Sequence, residues 1–169
     1  MKIANFKNIK PFSEDHNPSF KPLLRHEAIV FWNKGVGIQL SHYNLLVNAN
    51  GIQHAIDLFE DQTYHINIPP NSMPWVILQT ILPLYTGAPL TSDNPDMRLG
   101  INEGDFQIRF AWNKLEATSP PSLYVCNENT AFIAMNKMPI HLTALDDDTS
   151  PQTITGHSVM MGYLEDALN

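Results

Sequence analysis

Three alternations of apolar and polar residues run through Tyr43 to Ile68 in one consistent register. Tyr43, Leu45, Val47 and Ala49 alternate with polar partners, and Asn50-Gly51 follows as a hairpin signal. Ile52, His54, Ile56 and Leu58 continue the same face, and Tyr64, Ile66 and Ile68 resume it after Glu60-Asp61-Gln62. A slip of one residue would send each set to the opposite face, so the agreement predicts a three-stranded meander. Its pairing sets Leu45 opposite Ile56, Ile56 opposite Ile66 and Leu58 opposite Tyr64.

The flanking pattern is also β-like. Ala28 to Trp32 is a continuous apolar run suited to a strand covered on both faces. Asn33-Lys34-Gly35 turns the chain, and Val36, Ile38 and Leu40 then alternate with Gly37, Gln39 and Ser41. Ser72 followed by Met73-Pro74 is a helix entry, and Trp75 to Leu82 supplies the apolar body of a short buried helix near 73–85. Pro83 limits its length.

Gly87 to Asp96 reads as a loop. Phe106, Ile108, Phe110 and Trp112 alternate again, and Leu123–Cys126 and Ala131–Met135 pair across a turn. Pro139 donates no ladder hydrogen bond and belongs at a sheet edge or strand end. Ile140 to Leu145 gives a last strand. From His157 to Leu168 apolar residues recur at helical spacing, which predicts a C-terminal amphipathic helix. The sum is a mainly β fold, a β-sandwich or partly open antiparallel barrel with two helical additions. Residues 1–25, with Pro11, Pro18 and Pro22 among polar residues, form an extended arm, and 26–169 form a single β-rich domain.

Composition narrows the partners. Seventeen acidic against ten basic residues leave a net charge of −7. Phosphate neutralisation requires clustered Lys and Arg, so nucleic acid is excluded as a partner, as is an anionic membrane surface. The most apolar window, Trp75 to Tyr85, is too short to span a bilayer. The N-terminal basic residues precede no apolar run, and Cys126 has no cysteine to pair with. A soluble cytoplasmic protein is the expectation. Low-charge apolar strands at a sheet edge make a homodimer the expected assembly.

The strong catalytic signatures are missing. Gly35-Val36-Gly37 lacks the third glycine and following helix of a phosphate loop, and no nucleophile elbow, His-Glu-x-x-His or Cys-x-x-Cys occurs. Cys126 reads as a buried structural thiol, and Trp32, Trp75 and Trp112 as core residues. Asp146-Asp147-Asp148 reads as a solvated turn. The histidines are the remaining resource. The meander register puts His42, Asp57 and His65 on one face, a set with the ligand types of a zinc or non-haem iron site. The plainer reading of that face is an Asp57–His65 pair that holds strand register. His54 points to the other side, as a core histidine.

No cofactor is implied. The reading that follows is a non-catalytic, protein-binding accessory, regulatory or assembly factor acting through a β-rich surface. Two alternatives stand beside it. One is a small-molecule or metal-assisted site in a β-barrel using His42, Asp57 and His65; the other is a structural subunit of a larger particle.

Overall fold

Strand β1 (Glu27–Asn33) pairs antiparallel with β2 (Val36–Ser41). The turn residues Lys34 and Gly35 both have positive φ, 50° and 82°. That is the mirror-image turn whose twist matches its flanking strands. Ile38 and Leu40 enter the core, as their alternation predicts. The computed structural model describes residues 21–70, 72–126, 131–146 and 153–165. Most of the expected N-terminal arm, residues 1–20, lies outside these.

The meander is corrected at the next step. Ser41 ends β2 and caps a helix, α1 (His42–Ile56). The Ser41 hydroxyl accepts from the Asn44 N–H at 3.1 Å, while Asn44 Oδ1 accepts from the Ser41 N–H at 2.9 Å. This reciprocal capping box satisfies two backbone donors that the helix start would otherwise leave unpaired. The buried face is Leu45, Ala49, Ile52 and Ile56. Their spacing of four, three and four is that of a helix stripe. Leu46 breaks the strand alternation, so the polar partners of the meander were never continuous. Gly51 is in mid-helix and makes no hairpin. A Cβ there would lie 3.1 Å from Ile140 Cδ1, so glycine lets the following segment approach closely. Asp57 ends the helix in the left-handed region (φ 52°).

Strand β3 (Tyr64–Asn67) was expected and is present. After it, Ser72 caps α2 (Met73–Val76), which continues into a π-helical turn (Ile77–Ile81) and α3 (Leu82–Thr86). The short helix near 73–85 is therefore borne out. The Leu82 N–H bonds back to the Ile77 carbonyl, five residues earlier. Pro83 has no N–H to offer the Gln79 carbonyl, and the turn before it opens accordingly.

This helical crossover lets the next strand, β4 (Met97–Gly100), pair parallel with β3. β5 (Phe106–Arg109) and β6 (Ser122–Cys126) add in parallel, and β7 (Ala131–Met135) and β8 (Met138–Pro139) add antiparallel. The result is a six-stranded mixed sheet, with Pro139 on its outer strand. The return from β4 to β5 is tight: Gly104 (φ 94°) is so close that a Cβ would sit 2.6 Å from the Arg98 carbonyl oxygen.

Two smaller sheets complete the described strands: β9 (Thr143–Asp146) with β10 (Thr153–Gly156), and β1-β2 with β11 (Gly162–Glu165). The mainly β class holds, but these sheets close no barrel and the large one is mixed rather than antiparallel. The predicted C-terminal helix is corrected as well. His157–Met161 is a connection, and Gly162–Glu165 pairs with β2 through backbone bonds that leave no helical stripe to bury. Residues 166–168 of that expectation lie outside the described residues. No helix among the described residues is long and apolar enough to cross a membrane.

Two side chains tie α1 to the sheets. Asn44 Nδ2 donates to the carbonyls of His157 (2.8 Å) and Val159 (2.9 Å). Asn48 Nδ2 donates to the Phe132 carbonyl at 2.7 Å, and its Oδ1 accepts from the Phe132 N–H at 3.3 Å. The pairing of β6 with β7 shifts register here, between Tyr124↔Ala134 and Val125↔Phe132, so Ile133 is the extra residue of a bulge. Replacing Asn48 by Ala would orphan both buried Phe132 groups, at about 1–3 kcal/mol each. Urea denaturation should show Asn48→Ala losing about 2–6 kcal/mol. Asn50→Ala, which removes only an exposed bond to Tyr85 Oη, should lose under about 1 kcal/mol. Equal losses would mean that the Asn48 bridge does not hold the helix.

Candidate functional site

The three residues expected to share one face are separated by α1. His42 is its first residue and Asp57 its C-terminal cap. A helix of 15 residues is about 22 Å long, so the two cannot bind one ion. His65 lies on β3, opposite Arg98 of β4. The described residues contain no group of three or more His, Cys, Asp or Glu able to hold a metal ion. His54, expected in the core, is exposed on α1. Cys126 is buried at the end of β6, as expected, whereas Trp32 is 48% exposed on an edge strand rather than in the core.

His42 instead lines a groove of about 310 Å³ with Leu45, Leu46, Ile81, Leu84 and Tyr85. One wall is the first two turns of α1; the other is the π-helical turn and α3. Leu84 is the most exposed large apolar side chain of the described residues, at 83%. Polar groups stand at the rim. Tyr85 Oη accepts from Asn50 Nδ2 at 2.9 Å, and the His42 imidazole is half-buried. An apolar trough with a few polar groups at its rim suits the hydrocarbon part of a small molecule.

The groove wall is fixed from beneath. Tyr64 is wholly buried on β3 and its hydroxyl donates to the Leu78 carbonyl at 2.5 Å. That bond gives a partner to a carbonyl inside the π-helical turn, where regular i to i−4 bonding is interrupted. Burial pushes the Tyr64 phenol well above its ordinary pKa. Sequence reasoning missed the groove because its residues come from two helices and follow no single period. The signals that could have found it are the Ser41-x-x-Asn44 cap and the helical spacing of Leu45, Ala49 and Ile52.

The N-terminus of α1, a backbone position of the kind that often grips phosphate, spends its donors within the chain: Asn44 N–H on Ser41 Oγ, His42 N–H on the His26 carbonyl and Tyr43 N–H on the Leu24 carbonyl.

No protein-family model matches the chain, and no curated protein matches its sequence. Its fold, however, matches 96 chains of solved structures. It is similar to VinN in complex with 3-methylaspartate, at 12% identity and a TM-score of 0.67, over 85% of this chain and 51% of that one. It is similar to a long-chain-fatty-acid-CoA ligase from Archaeoglobus fulgidus, at 13% identity and a TM-score of 0.59, over 82% and 44%. An artificially fused adenylation–PCP di-domain, NpsA-ThdA from Klebsiella oxytoca, matches at 13% identity and a TM-score of 0.67, over 89% and 41%. At these identities the likeness is one of fold. The chain spans about half the length of the solved structures it matches.

The match corrects the functional expectation. A non-catalytic protein-binding accessory, regulatory or assembly factor, or a structural subunit, was inferred from missing motifs. The fold is instead one carried by proteins named as a CoA ligase and an adenylation domain. The missing motifs misled because short signatures mark particular sites, whereas the fold rests on packing that many sequences satisfy.

The Tyr64 contact generates a pH prediction. The native state keeps the phenol protonated, while the unfolded chain releases that proton above about pH 10. Above that pH the unfolded state binds fewer protons, so stability falls as pH rises. Tyr64→Phe should lose about 0.5–1.5 kcal/mol at neutral pH from the missing bond, and its stability should fall less steeply above about pH 10. Identical alkaline slopes in denaturation of the two proteins would refute the assignment.

Proposed function

We propose that the chain is part of an ATP-dependent adenylating ligase, and that its groove takes the apolar part of a carboxylic acid substrate. The observation that carries this reading is the fold match over 85% of the chain at a TM-score of 0.67, alongside matches to a named CoA ligase and a named adenylation domain. In adenylation a carboxylate oxygen attacks the α-phosphorus of ATP. A mixed carboxylic–phosphoric anhydride bond forms, and pyrophosphate leaves with the electron pair of the broken P–O bond.

The chemistry divides naturally between two parts of such a fold. The described residues offer an apolar groove flanked by His42 and Tyr85, while the N-terminus of α1 beside it spends its backbone donors within the chain. The acid side of the reaction is therefore assigned to this groove, and the nucleotide contacts to the half of the fold that the matched proteins carry beyond this one. A groove of about 310 Å³ is at the small end for ligand pockets, so a medium-length acyl chain or an amino acid with an apolar side chain fits it better than a long fatty acid. The proposed use of ATP and the single cysteine support a cytoplasmic location.

Calorimetry on this chain tests the reading with L-aspartate, L-phenylalanine, octanoate and palmitate. Phenylalanine or octanoate should bind more tightly than aspartate. Leu84→Glu, which puts a carboxylate into the apolar wall without touching the core, should weaken acid binding at least tenfold. Absence of binding for every acid would defeat the proposal. Unchanged affinity in Leu84→Glu would remove the groove from it.

A further inference from the structure

The opposite side of α1 forms a second cleft, and its lining is chemically unusual. His54, Met135, Met138 and His141 all face a space of about 190 Å³, with Gly51 and Ile140 at its floor. They arrive from three places. Met135 and Met138 are direct cross-strand partners flanking the two-residue turn between β7 and β8. Directly opposed residues have Cβ atoms about 5 Å apart on one face of the ribbon, which brings the two thioethers together. Ile140 is held to β7 by its N–H bond to the Ile133 carbonyl at 2.9 Å. It also packs on Gly51 so closely that a Cβ there would be 3.1 Å away. That contact positions both imidazoles: His141 follows Ile140, and His54 lies three residues beyond Gly51, next to it on the helix surface.

We propose that this cleft binds a soft monovalent cation, Cu(I), through the two imidazoles and two thioethers. The donor set selects the ion. Thioethers are poor ligands for hard cations and for Zn(II), but they bind Cu(I), and imidazole serves copper as well. No carboxylate or thiolate lines the cleft, so the four neutral donors match a single positive charge. A filled d shell imposes no rigid geometry, and methionine has three rotatable bonds with which to close on the ion. His54, His141 and Met138 are all exposed, which leaves a route for a carrier or chelator to deliver it. The proposal stands apart from the adenylation reading, since neither the groove nor its residues take part.

Anaerobic competition with bicinchoninate tests it on the full chain. The protein should withdraw one equivalent of Cu(I) from the chelator and gain thermal stability on doing so. Met138→Leu and His141→Gln, both at exposed positions, should each weaken Cu(I) binding at least tenfold while circular dichroism stays unchanged. The double variant Met135→Leu/Met138→Leu should lose the site. Zn(II) should bind more weakly than Cu(I), with no dependence on the methionines. Failure to compete with bicinchoninate, full affinity in the double variant, or tighter binding of Zn(II) would each overturn the assignment.

Discussion

Two buried asparagines, one helical turn apart on α1, hold the three parts of the fold in register with one another. Asn44 closes the capping box with Ser41 at the end of β2 and also reaches the carbonyls of His157 and Val159, just before β11. Asn48, fully buried, exchanges both of its amide hydrogen bonds with the backbone of Phe132 on β7. The side-chain amide suits the position because it carries a donor and an acceptor on one rigid group. An apolar residue of similar size would fill the space but leave backbone groups unpaired in a medium where that is costly. The bulge at Ile133 and the Asn48 contact belong together. Where the β6–β7 ladder slips by one residue, Phe132 takes its partner from the helix.

The same asparagines explain why the alternation from Tyr43 to Ala49 forms a helix and not a strand. Asn44 and Asn48 are two of the polar residues in what looked like a strand alternation, and Asn50-Gly51 resembled a hairpin turn. In a strand those positions face solvent. In the helix Asn44 and Asn48 are among the most buried polar residues, so polarity reported hydrogen-bonding demand rather than exposure. Where strands carry ordinary one-sided burial the pattern was sound: β2, β3, β5, β6 and β7 all fall within segments whose alternation or apolar content predicted them. The C-terminal segment failed for a different reason. Val159, Met160, Tyr163 and Leu164 have helical spacing, yet Tyr163 and Leu164 are largely exposed, and it is the open edge of β2 that decides the strand. Pairing with a distant strand leaves no trace in a local period.

The candidate site was still less legible, because its parts are brought together by packing alone. A register built on the meander gathered His42, Asp57 and His65; the helix scattered them to its two ends and to another sheet. The groove that His42 does line depends on the π-helical turn before Pro83 and on the Tyr64 hydroxyl that reaches into it. In the sequence these appear as an apolar run with one proline and a distant tyrosine. Nothing local says that Ile81 and Leu84 will flank a groove rather than fill a core.

Helix α1 is the element on which the fold and both candidate sites converge. Its surface is divided around the axis: Leu45, Ala49, Ile52 and Ile56 enter the core, and Asn44 and Asn48 bond to neighbouring backbone. His42, Leu45 and Leu46 form one wall of the groove, and Gly51, His54 and Ala55 one wall of the cleft. A helix used on most of its circumference cannot show a clean apolar stripe, since the stripe requires an idle polar face. That cost in legibility has a functional side. Groove and cleft share one rigid rod whose rotation the two asparagines fix, so closing either site around a ligand must be done by its other wall: α3 for the groove, the β7–β8 hairpin for the cleft. Both of those walls carry the flexible, exposed apolar side chains, Leu84 and Met138, while the shared rod carries the buried hydrogen bonds. The arrangement keeps ligand-dependent adjustment at the periphery and leaves the register of the sheets untouched.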